Sequence, residues 1–86
     1  MELTVYGPLR SATGEKRIGV DPGGPTVRAV LDALLEEYPR AESHLVDEAG
    51  DLRPSVRVTV NGDRAAIDDD CPPDAEVAVF PAMRGG

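Results

Sequence analysis

Val27, Val30, Leu31, Leu34, Leu35 and Tyr38 recur at i, i+3, i+4, i+7, i+8 and i+11, which is one continuous face of an amphipathic helix. Thr26 stands where its hydroxyl can cap the first turn, and Pro39 disfavours helical geometry at Tyr38, so both ends are marked. One helix cannot bury its own stripe. The rest of the chain must therefore supply a facing apolar surface, and that requirement constrains the fold more than any other feature.

The flanking sequence supplies it in short alternating runs. Glu2 to Tyr6 puts Leu3 and Val5 on one face and Thr4 and Tyr6 on the other, the period of two of a half-buried strand, until Gly7-Pro8 interrupts it. "KRIGVD" repeats the pattern with Ile18 and Val20, so the two runs are expected to form a hairpin joined through "SATGE". Beyond the helix, residues 40–46 carry a weaker pattern, one further helical turn or two. Val56, Val58 and Val60 then share a face and are followed by Asn61-Gly62, the dipeptide best suited to a type I′ turn. "EVAVFP" ends the pattern, with Val77 and Val79 on one face and Ala78 and Phe80 on the other.

One helix and one sheet with a single apolar face have one economical solution, an α+β domain of the β-grasp kind in which a mixed sheet wraps the helix. The first and last strands of such a sheet lie together at its centre. Tyr6 and Phe80 are then expected to be neighbours on its outer face. The 86 residues make one domain, placed at 1–82, with 83–86 left as a flexible tail.

The charge balance narrows the partners. Nine Lys plus Arg against 16 Asp plus Glu give a net charge of -7, which argues against nucleic acid, whose binding needs clustered cations. No run approaches the roughly 20 apolar residues of a membrane span, and the start lacks the basic and apolar regions of a signal peptide, so neither a membrane nor secretion is expected. A lone cysteine, Cys71, excludes an internal disulfide and fits a reducing, cytoplasmic setting.

Catalytic chemistry is hard to assemble from these residues. His44 is the only histidine and has no thiol near it in sequence, so it reads as a surface residue rather than a metal ligand. Cys71 lies between an aspartate run and two prolines, and neighbouring anions oppose thiolate formation, so it reads as an incidental loop residue. Asp68, Asp69 and Asp70 lack the glycine and the distal glutamate of a calcium loop and read as a solvated turn. No metal site, no bound cofactor and no enzymatic activity are expected.

What remains is the ending, "FPAMRGG". Glycine has the widest backbone freedom of any residue, and at a background frequency of about 7% two would occupy the last two positions in roughly 0.5% of chains. Accident is therefore the weaker explanation.

From "ELTVYGPLR" through "TVRAVLDALLEEYP" and "VRVTVNG" to "DAEVAVFPAMRGG" the whole chain resembles the small ubiquitin-like proteins of the MoaD/ThiS-like type, the sulfur-carrier small subunits of molybdopterin synthase, and the small archaeal ubiquitin-like modifiers. The resemblance implies that the Gly86 carboxylate is the working group. A partner enzyme of the E1-like adenylyltransferase kind would activate it with ATP and magnesium. The product is then either an amide to lysines of target proteins or a thiocarboxylate used by a large subunit of molybdopterin synthase or a tRNA-thiolating enzyme.

Two glycines suit that role, because a side chain on either would crowd a narrow channel or the attack on the acyl carbon. With nothing after Gly86, no protease is expected to be needed. Arg84 and Gly85 would be read during recognition of the tail, and Tyr6 with Phe80 would bind the activating enzyme. Sulfur carriers of this type commonly have a second proline and a small apolar residue before the glycines, whereas here Ala82-Met83-Arg84 intervenes. "RGG" is similar to the end of ubiquitin and favours conjugation over sulfur transfer. A non-covalent interaction module is a third reading. Lys16 is the only lysine, hence the one lysine on which copies of the chain could be joined, and the protein is expected to be a monomer when free.

Overall fold

The computed structural model describes residues 1–81. Among these residues five strands form one mixed sheet: β1 (Glu2–Val5), β2 (Arg17–Gly19), β3 (Arg57–Val60), β4 (Asp63–Ala65) and β5 (Val77–Phe80). Their order across the sheet is β2-β1-β5-β3-β4. The first and last strands are parallel neighbours at its centre, with Leu3 beside Val77, Thr4 beside Ala78 and Val5 beside Val79. The expected β-grasp arrangement is therefore present.

Helix α2 (Val27–Glu37) crosses the apolar face of this sheet. The Thr26 hydroxyl accepts from the Ala29 amide at 3.2 Å. Two further amides of the first turn, those of Val27 and Arg28, donate to the carbonyls of Asp69 and Ile67 at 3.0 and 2.8 Å. The free donors of the helix start are thus taken up by its cap and by the connector before β5. Val27, Val30, Leu31 and Leu34 are buried, while Leu35 and Tyr38 at the edge of the stripe are half-buried. They meet Leu3, Val5, Ile18, Val58, Val77 and Val79 from the sheet. Truncating a fully enclosed leucine such as Leu34 in a core of this kind costs roughly 2–5 kcal/mol.

The β1–β2 connection departs from the sequence expectation. The two strands do pair antiparallel, Leu3 opposite Ile18, but they are joined by a short helix, α1 (Pro8–Thr13), and not by a plain hairpin loop. Pro8 sits at the first helical turn, where its missing amide costs nothing, and Gly14 ends the helix in the left-handed conformation at φ 82°. The element buries Leu9 completely. A helix of six residues is too short to generate a periodic pattern, which is why only its terminal residues announce it. β1 also ends at Val5, leaving Tyr6 just beyond the strand.

The weak pattern over residues 40–46 is a 3-10 turn (Pro39–Ala41) running into a one-turn helix, α3 (Glu42–Leu45), which bury Ala41 and Leu45. Asn61 and Gly62 both have positive φ, 52° and 86°, as a type I′ turn requires, and they reverse the chain between β3 and β4. Asp69 serves the connector as a turn residue, its carboxylate accepting from the Ala66 amide at 2.8 Å.

Cys71 corrects the sequence reading. It is not an incidental loop residue but part of the core, 2% exposed, with its amide donating to the Pro25 carbonyl. That bond pins the connector to the start of α2. Burial pushes its thiol pKa above the ordinary value, which disfavours the thiolate.

Candidate functional site

The strand pairing that fills the core also decides what stands outside it. Because Val5 lies beside Val79 in parallel register, the next residues, Tyr6 and Phe80, are carried to the outer face together. Their rings lie near-parallel, centroids 4.6 Å apart and planes 5° from each other, within the range of favourable offset stacking. Tyr6 is 36% exposed and is the one large hydrophobic residue exposed to that degree among the described residues. Phe80 is half-buried.

Next to the stack the outer face is lined by small side chains. Thr4, Ala78 and Thr59 follow one another across β1, β5 and β3 and floor a groove of about 610 Å³ that Tyr6 and Phe80 bound. A shallow channel beside a rigid aromatic ridge can take an apolar side chain or an extended peptide from a partner. The same end of the sheet is where β5 finishes, and Pro81, buried, is the last described residue. The described chain thus ends alongside the aromatic pair.

Lys16 joins this group. Its carbonyl accepts from the Val5 amide at 2.8 Å, fixing the backbone one residue from Tyr6, and its ammonium stands 5.5 Å from the centre of the Tyr6 ring, in cation–π range. In the sequence Lys16 stood out only as the lone lysine. The pairing of Thr4 with Arg17 is what brings it to the ring, and a sequence shows that only once the β1–β2 register is known.

Arg84, Gly85 and Gly86, the boundary at residue 82 and the tail 83–86 lie outside the described residues. Elsewhere the fold offers little chemistry. His44 is half-buried on α3, and among the described residues no three His, Cys, Asp or Glu side chains come together as a metal site. The Asp68 carboxylate pairs with Arg28 at 3.4 Å, both side chains being well exposed, so the contact adds little to stability. No helix among the described residues is long and apolar enough to cross a membrane.

A sequence profile described as the ThiS family matches residues 3–86. The chain belongs to the ThiS family. It is 33% identical over 87 residues to Small archaeal modifier protein 1 of Haloferax volcanii, with the whole of both chains covered. The crystal structure of that modifier superimposes with a TM-score of 0.86 at 34% identity, covering 100% of this chain and 98% of the other. A chain of the Amycolatopsis orientalis BexX/CysO complex superimposes with a TM-score of 0.80 over 99% and 98% of the two chains, and at 23% identity it supports the shared fold alone. As a member of a family of small carrier and modifier proteins, the chain is not itself an enzyme.

Proposed function

We propose that this ThiS-family protein is a ubiquitin-like modifier, activated at Gly86 by an E1-like adenylyltransferase and joined to lysines of target proteins. The observation that carries the reading is that β5 ends beside the stacked pair of Tyr6 and Phe80. An enzyme that grips the pair holds the tail at a fixed origin and can receive the last glycine in its nucleotide site. The full-length relation to Small archaeal modifier protein 1 and the "RGG" ending support the same reading.

In the first step a Gly86 carboxylate oxygen attacks the α-phosphorus of ATP held with magnesium by the enzyme, and pyrophosphate leaves. A lysine amine of the target then attacks the acyl carbon. The C–N bond forms as the C–O bond to AMP breaks, and the amine proton passes to water. Absence of a Cβ at Gly85 and Gly86 keeps the approach to that carbon open. The folded body contributes binding and not catalysis. Arg84 and Gly85 are the tail residues the enzyme reads, and the setting is the cytoplasm, where ATP is supplied.

Membership of the ThiS family favours a second use of the same acyl-adenylate. If a sulfur donor displaces AMP, Gly86 becomes a thiocarboxylate for a molybdopterin-synthase large subunit or a tRNA-thiolating enzyme. Both uses share the first step, so the test addresses that step. A chain ending at Arg84 should fold as the full chain does and show no ATP–pyrophosphate exchange with the activating enzyme. Exchange at the full-length rate would place activation elsewhere.

A further inference from the structure

Lys16 lines the same groove as Tyr6 and Phe80, and nothing about its role as the single lysine requires that position. It is exposed. Its ammonium faces the Tyr6 ring at 5.5 Å, and its backbone is fixed through the bond from the Val5 amide at 2.8 Å. Just before it, Gly14 ends α1 and the Thr13 hydroxyl donates to the Glu15 carbonyl at 2.7 Å. The backbone of the lysine is therefore held at the rim of the docking face.

We infer that Lys16 is a self-modification site whose acylation by a second copy switches off activation of the copy that carries it. The inference rests on the reading of Tyr6 and Phe80 as the face gripped by the activating enzyme. Chemically the step is the conjugation already described. The Lys16 amine attacks the acyl carbon of another copy's Gly86 adenylate, the C–N bond replaces the C–O bond to AMP, AMP departs with the bonding pair and the amine proton goes to water.

Geometry supplies the block. Five residues separate Pro81 from the end of the chain, a reach of about 18 Å when fully extended, to which the Lys16 side chain adds its own length. The attached copy has dimensions of 34 × 24 × 24 Å. A body of that size, tethered at the wall of the groove, crowds the approach of the activating enzyme to it. Acylation also turns the ammonium over Tyr6 into a neutral amide and removes the cation–π contact. A joined copy thus covers the face its host would need in order to be adenylated. Chains can then lengthen only outward, by adding a freshly activated copy to the Lys16 of the last one, and a chain assembled free in solution cannot be activated and moved as a unit.

The test couples a maleimide-bearing polyethylene glycol to Lys16→Cys, and separately to Glu36→Cys on the exposed side of α2, using buried Cys71 as the unreactive internal control. ATP–pyrophosphate exchange with the activating enzyme is measured before and after coupling. Coupling at position 16 should lower exchange by about tenfold or more, and coupling at position 36 should change it by less than about twofold. Equal exchange before and after coupling at position 16 overturns the inference, as does an equal loss at position 36. Failure of the uncoupled full chain to support any exchange overturns the activation reading itself, and the inference with it.

Discussion

Tyr6 and Phe80, 74 positions apart in the sequence, lie with ring centroids 4.6 Å apart and planes 5° from parallel. The relationship follows from the parallel pairing of the central strands and leaves the two aromatics on the face opposite a core of aliphatic side chains and Cys71. If the pair is the grip of the activating enzyme, Phe80→Ala should weaken binding of that enzyme by roughly 1–3 kcal/mol. Titration calorimetry against the enzyme, with a thermal melt of the variant alone, separates docking from folding. A melt that collapses while affinity for the remaining folded protein is unchanged would make Phe80 a packing residue.

Cys71 yields a prediction with a definite sign. Burial raises its folded-state pKa above the ordinary thiol value of about 8.5 that it regains on unfolding. The neutral thiol is the form that suits the core, so its contribution is complete below the unfolded pKa and is lost as pH rises through the folded one. Denaturant melts should show stability falling above about pH 8.5 by more in the native chain than in Cys71→Ala. Iodoacetamide at neutral pH should label the thiol in denaturant but spare it in the folded protein. Rapid labelling of the native chain would contradict its position.

The turn after β3 isolates a backbone effect. Gly62 has φ 86°, and a Cβ built on it meets nothing within 4 Å. Gly62→Ala should therefore cost about 1–2 kcal/mol from backbone strain alone, with no packing defect. Urea unfolding should show a lower midpoint with an unchanged slope. A change in slope would mean that the hairpin itself had rearranged.

Periodicity carried most of the fold. The α2 stripe, the alternating strands and Asn61-Gly62 were legible because each is a local pattern with a local cause. What escaped had no such pattern. α1 buries only Leu9 fully, so no repeat marked it. The burial of Cys71 is hidden in the sequence because its neighbours Asp68, Asp69 and Asp70 are exposed while the thiol itself packs into the core. Of the site, the Tyr6–Phe80 pairing could be expected from the strand order. The place of Lys16 over Tyr6 depends on a register and a side-chain path that composition does not encode.

Amides between Gly86 and lysines of other proteins can be measured because Arg84 precedes the two glycines. Trypsin cuts after arginine, so every lysine joined to Gly86 keeps a Gly-Gly remnant. The measurement is a tryptic digest of the proteome of the cells that produce the protein, with and without the activating enzyme, read by mass spectrometry. Remnants are expected on several proteins, Lys16 among the modified positions, all lost when the activating enzyme is removed. Thiocarboxylate at Gly86 with no remnant on any protein would contradict conjugation and make the chain a sulfur carrier alone.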